Sequence, residues 1–139
     1  MTAGEKTILI VEDNEINMKL LEAILELLPC RTLKATDAET GLPLAREYQP
    51  DLILMDLQLP GMDGISATTL LKADEKLNQI PVIAMTGYEF SDFGGSLDRA
   101  GFSGVITKPF EVRSFLETVS GYLEDFSGPP CPGIEREKK

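Results

Sequence analysis

Five reactive side chains stand where short apolar runs break off. Glu12 and Asp13 follow 7–11, Asp56 follows 52–55, Thr86 follows 81–85 and Lys108 follows 104–107. Brought together, three carboxylates repel one another unless a cation or raised pKa values relieve them. Hard oxygen ligands with few protein contacts suit Mg²⁺. A carboxylate nucleophile flanked by Mg²⁺, an ammonium and a hydroxyl suits a transferring phosphoryl group, whose equatorial oxygens the cations and donors hold. The chain contains no histidine. That excludes a Ser-His-Asp triad, a histidine metal ligand and a phosphohistidine on this chain, so chemistry here runs on carboxylates, hydroxyls and lysine.

Such residues act together only if the fold gathers them. The run at 52–55, Leu-Ile-Leu-Met, is too short for a helix and ends in Asp56 before the loop-forming Pro60, Gly61 and Gly64. It reads as a strand buried on both faces, as in parallel sheets. The runs at 7–11, 81–85 and 104–107 read as further strands, and 31–35 as a short second strand. Between them lie helical patterns. Asn14 is a good N-cap for a helix whose face is expected to be Ile16, Leu20, Ile24 and Leu27, stopped by Pro29. A second helix over 37–48 contains Gly41 and Pro43, so it is expected to start near Thr40 or to be distorted. A third runs from Gly64 to Ala73 with Asp63 as cap. A weak one covers 91–100, with Gly94 and Gly95 inside and Gly101 as its stop. The last carries Val112, Phe115, Leu116, Val119 and Leu123 at helical spacing.

Strands alternating with helices predict an α/β fold, a doubly wound five-stranded parallel sheet. In the order 2-1-3-4-5 the first and third strands meet at the switch point, and all carboxyl ends line one cleft. One domain is expected over 1–126. The Pro- and Gly-rich, then charged stretch 127–139 is expected to be a flexible tail. A net charge of −10 over 139 residues argues against nucleic acid or an anionic membrane as direct partner. Without a membrane-length apolar run or a secretory pattern, a cytoplasmic protein is expected. Cys30 and Cys131 form no CxxC pair and read as a small buried hydrophobe and a tail thiol.

Taken singly, each reactive residue has an ordinary explanation. Glu12-Asp13 can cap a helix, Asp56 a loop, Thr86 can end a strand and Lys108 can be a solvated charge. All of them at the ends of consecutive buried strands make a far more specific set. With Ile-Leu-Ile-Val-Glu12-Asp13-Asn, Asp-Leu-Ile-Leu-Met-Asp56-Leu-Gln-Leu-Pro-Gly-Met-Asp-Gly, Ala-Met-Thr86 and Thr-Lys108-Pro109-Phe, residues 6–124 resemble a CheY-like receiver domain of two-component response regulators. The openings VEDNEINMKLL and PDLILMDLQLP are similar to stand-alone receivers of the DivK type and to phosphorelay receivers. The resemblance implies the flavodoxin-like order 2-1-3-4-5 and phosphorylation of Asp56 by the phosphohistidine of a histidine kinase or histidine phosphotransfer protein. It implies Mg²⁺ held by Asp13, Asp56 and the backbone carbonyl of Gln58, with Glu12 acting through water. Thr86 and Lys108 would contact the phosphoryl group, and the Lys108–Pro109 peptide would be cis.

Two positions depart from the family pattern. The Tyr or Phe usually found three residues before the lysine, a rotamer switch, is Val105; and Tyr88 stands two residues after the threonine, beside the path of the hydrolytic water. With Gln58, Tyr88 is expected to modulate hydrolysis and make autophosphatase chemistry slow; the alternative is that Tyr88 points to solvent as part of a partner surface. Thr86 and the 87–101 segment are expected to take over the switch from Val105. The expected function is a stand-alone phosphoacceptor signalling by protein contacts, not a turnover enzyme. Alternatives are a relay intermediate returning phosphate to a phosphotransfer protein, and a receiver detached from a DNA-binding output domain. A Mg²⁺-dependent phosphatase of the haloacid-dehalogenase type is disfavoured, because the usual second Asp two residues after the nucleophile is Gln58.

Overall fold

The five strand candidates become five parallel strands. The computed structural model describes residues 6–87 and 96–123. In chain order they form β1 (Lys6–Val11), α1 (Glu15–Leu25), β2 (Cys30–Ala35), α2 (Ala38–Tyr48), β3 (Leu52–Asp56), α3 (Gly64–Ala73), β4 (Val82–Gly87), α4 (Ser96–Ala100), β5 (Gly104–Lys108) and α5 (Val112–Leu123). The sheet order is β2-β1-β3-β4-β5, every neighbouring pair parallel. It is the order expected above. Register sets Val11 beside Met55, Asp56 beside Met85 and Gly87 beside Lys108, so the carboxyl ends of β1, β3, β4 and β5 share one edge.

Strand side chains alternate between two cores. Leu9, Val11, Ile53, Met55, Val82 and Ala84 pack with residues of α2, α3 and α4, among them Leu42, Ala67, Leu71 and Leu97. Ile8, Ile10, Leu52, Leu54, Ile83 and Met85 pack with Met18, Leu21 and Leu25 of α1 and Phe115, Val119 and Leu123 of α5. With both faces covered, the central strands are apolar throughout rather than alternating.

The expected face of α1 is corrected. Its core residues are Met18, Leu21, Ile24 and Leu25, with Leu28 just beyond, whereas Ile16 is 77% and Leu27 67% exposed and Leu20 is also exposed. Apolar residues cover a wide arc of this helix opposite Glu15, Lys19 and Glu22, so helical spacing fits two overlapping faces and only packing on the sheet selects one. Asn14 does cap it, accepting from Asn17 N at 2.9 Å. Helix α2 starts at Ala38 rather than near Thr40 and continues through Pro43. Asp37 accepts from Thr40 N at 2.8 Å, and burial of Ala38, Leu42 and Ala45 compensates the missing hydrogen bond. Helix α3 and its Asp63 cap follow the expected bounds. Val112 proves exposed at the start of α5. Cys30 is half-buried rather than a core residue, its thiol donating to Leu25 O at 3.6 Å. Of the helix expected over 91–100, α4 covers Ser96–Ala100, while 91–95, the tail 127–139 and Cys131 lie outside the described residues.

Candidate functional site

Glu12 and Asp56 are the buried charges of the sheet edge, 1% and 2% exposed, while Asp13 points outward. Burial of Asp56 follows from its place as the last residue of β3, a strand buried along its whole length. Both of its oxygens are engaged: Gln58 N donates to Oδ1 at 3.0 Å and Lys108 Nζ to Oδ2 at 3.1 Å. Lys108, half-buried at the end of β5, also stands 3.3 Å from Glu12 Oε1. Glu12 Oε2 accepts from Asn14 N at 3.1 Å.

Electrostatics follow from this packing. Burial, then the charge of Asp56 and a hydrogen bond to it, push the Glu12 carboxyl up to about 7, against the opposing pull of Asn14 N–H and Lys108. Burial alone would lower the Lys108 pKa, but the carboxylates of Asp56 and Glu12 outweigh it and raise it. The ammonium is therefore held in place as a fixed charge.

Ligand oxygens of Glu12, Asp13 and Asp56 lie within 4.8 Å of one another. Glu12 Oε1 is buried without a hydrogen-bond partner, despite its nearness to Lys108. An all-oxygen, strongly anionic donor set with an orphaned buried oxygen fits a small hard dication such as Mg²⁺.

The structure thus brings Glu12, Asp13, Asp56 and Lys108 together, with Gln58 next to them through its main chain. Thr86, next to last in β4, lies on the same edge, but its hydroxyl donates to Gly87 O at 3.1 Å instead of to a site residue. Val105 is 47% exposed on β5. Tyr88 lies outside the described residues. The Lys108–Pro109 peptide is cis.

Two contributors were not recognised from the residues alone. Gly64 opens α3 as expected, but its close approach to the strand end was not read from the residues: a Cβ there would sit 2.3 Å from Asp56 O. The glycine lets the helix start directly against the strand end. Glu39, on α2, accepts from Met62 N at 3.2 Å in the loop after β3. Its partner lies 23 residues away, and no local spacing signals it.

The response regulator receiver domain model matches residues 8–120. The polar-differentiation response regulator DivK of Brucella ovis is 43% identical over 120 residues, which are 86% of this chain and 98% of DivK. Among solved structures, the receiver domain of a sensor histidine kinase from Pseudomonas aeruginosa PAO1 is 31% identical, with TM-score 0.75, covering 86% of this chain and 98% of that one. That protein has a magnesium ion coordinated in its active site cleft. A response regulator structure from Chloroflexus aurantiacus shares the fold, with TM-score 0.81 at 24% identity, covering 86% and 98% of the two chains. The strand order, the acid cluster at the sheet edge and a family match over most of the chain agree, and the chain belongs to the response regulator receiver domain family.

Proposed function

We propose that this receiver accepts a phosphoryl group on Asp56 from the phosphohistidine of a histidine kinase or phosphotransfer protein, and signals by phosphorylation-dependent protein contacts. The observation that carries the reading is Asp56 itself: a buried carboxylate at a strand end, oriented through both oxygens and sharing Lys108 with Glu12. An Asp56 oxygen forms the new bond to phosphorus as the phosphohistidine N–P bond breaks, and the imidazole leaves with the electron pair and takes up a proton. Asp13, Asp56 and the Gln58 carbonyl would hold Mg²⁺, with Glu12 acting through water. When bound, the ion supplies positive charge to the phosphoryl oxygens. Lys108 adds its ammonium, and Thr86 its hydroxyl once it leaves Gly87 O.

A stand-alone role is supported by 43% identity to the response regulator DivK. The exposed apolar Ile16 and Leu20, on the helix that starts beside the acid cluster, offer area for a protein contact. Hydrolysis of the aspartyl phosphate is slow in this reading, with Gln58 holding the attacking water less firmly than Asn would. The site is tested by labelling from acetyl phosphate. Label that requires divalent metal and disappears in Asp56→Asn is the expected result; undiminished label in Asp56→Asn, or labelling without metal, would reject it.

A further inference from the structure

The loop between β3 and α3 is hydrogen-bonded at its two ends, and at its tip Leu59 and Met62 pack against the core over that sheet face. Near the strand, Gln58 N donates to Asp56 Oδ1, and Gly64 N donates to Leu57 O at 3.3 Å. On the helix side, Asp63 Oδ1 accepts from Ser66 N at 2.7 Å. The tip, Leu59 to Met62, receives one hydrogen bond from another element among the described residues: Met62 N donates to Glu39 Oε2 at 3.2 Å. The fit is close. Gly61 has φ +74, and a Cβ there would lie 2.9 Å from the same Oε2 and 3.5 Å from Glu39 Cδ. Only glycine accepts both that backbone and that carboxylate without strain. Glu39 is itself fixed, in the first turn of α2, one residue after its start and beside the Asp37 cap.

We infer that Glu39 is a positioning residue for the metal: by gripping Gly61–Met62 from α2, it sets the path of the loop and thereby the direction of the Gln58 carbonyl. The inference rests on the reading of Gln58 as a Mg²⁺ ligand given above. A backbone ligand cannot be reoriented by a rotamer; it points where its loop points. Partners that orient a ligand without touching the metal change metal affinity, and here the lever is one exposed hydrogen bond. Restricting the loop before binding removes part of the ordering cost that Mg²⁺ would otherwise meet. Arg46 makes a second link between α2 and the α3 end, Nε to Asp74 Oδ2 at 3.5 Å, and does not touch this loop.

The test is Mg²⁺ titration by calorimetry without phosphodonor, on wild type, Glu39→Ala, Glu39→Gln and Arg46→Ala, with the Mg²⁺ dependence of acetyl phosphate labelling measured beside it. Glu39→Ala should raise the Mg²⁺ midpoint by about three- to tenfold, the worth of one net hydrogen bond. Its maximal labelling rate at saturating Mg²⁺ and its melting temperature should stay at wild-type values. Glu39→Gln, which keeps an acceptor oxygen and loses the charge, and Arg46→Ala, which loosens α2 elsewhere, should both titrate like wild type. An unchanged midpoint in Glu39→Ala overturns the inference. So does a Glu39→Gln midpoint as high as that of Glu39→Ala, because charge and not the tie is then what Mg²⁺ senses; an equal rise in Arg46→Ala assigns the effect to general loosening and overturns it too. If wild type shows no Mg²⁺ response at all, the underlying reading of the site fails, and this inference with it.

Discussion

Glu12 bears the cost of gathering the acids. Its carboxyl is pushed up, from 4.5 to about 7, chiefly by burial and next by the charge of Asp56. The sign of the stability effect follows from linkage. The folded apo protein binds the Glu12 proton more tightly than the unfolded chain, so this group's contribution is fully favourable below about 4.5 and is lost as pH rises through about 7. Glu12→Gln keeps the shape and removes the charge. In chelator at pH 8 it should therefore be more stable than wild type, by about 1 kcal/mol, a common size for relief of a local repulsion. At pH 4.5 the gap should close, and with Mg²⁺ it should reverse, because the variant has lost a group that favours the cation. Melting curves of both proteins at the two pH values, with and without metal, check all three. A Glu12→Gln protein no more stable than wild type at pH 8 would mean that Glu12 ionises there without cost.

At the scale of elements, helix glycines separate propensity from packing. Gly121, near the end of α5, has open space where a Cβ would be, so Gly121→Ala should stabilise by about 0.5–1 kcal/mol through helix propensity alone. Gly41, in α2, faces Val11: a Cβ would lie 3.0 Å from Val11 Cγ2, inside the core over β1. Gly41→Ala should destabilise, because the same propensity gain meets an overpacked contact. Chemical denaturation of the two variants reads the opposite signs, and equal stabilisation would show that the sheet yields at Val11. These helices also mark where the sequence is legible and where it is not. Strands were legible because burial on both faces leaves unbroken apolar runs that end abruptly, at Asp56 most clearly. The α3 start was legible because an Asp63 cap is a local signal. The face of α1 was not, since Ile16, Leu20 and Leu27 keep the same spacing as Met18, Leu21, Leu25 and Leu28. Nor was the course of α2 through Pro43, where burial of neighbours overrides a local breaker.

Across the whole molecule, the parallel topology converts chain-distant residues into one edge, which is why Glu12, Asp13, Asp56 and Lys108 could be assembled from strand ends alone. Thr86 reached that edge too, but its resting partner, Gly87 O, was not legible, because hydroxyl direction depends on local backbone. That partner bears on how a phosphoryl group on Asp56 would be reported. Thr86 is buried and satisfied by its neighbour's carbonyl, so turning toward a phosphoryl oxygen must release Gly87, the last residue of β4, paired with Lys108 across β5. Val105 has no ring to swing and is already half-exposed. Gly87 is then the main-chain position that must give way, and the next described element along the chain is α4. That helix is fastened at its C-terminal end, where Gly101 N donates to Leu97 O at 3.2 Å and Phe102 N to the same oxygen at 3.1 Å. Local openings of a chain cost less than global unfolding, so release of Gly87 is expected to register at these bonds. Amide exchange of Gly101 and Phe102 is expected to change when wild type is incubated with acetyl phosphate and Mg²⁺. The change should vanish in Asp56→Asn, and in Thr86→Ala even where Asp56 is still labelled. If protection changes stay confined to the loops around residues 56 and 108, or persist in labelled Thr86→Ala, then Thr86 and α4 do not carry the signal and partners read the phosphorylated edge directly.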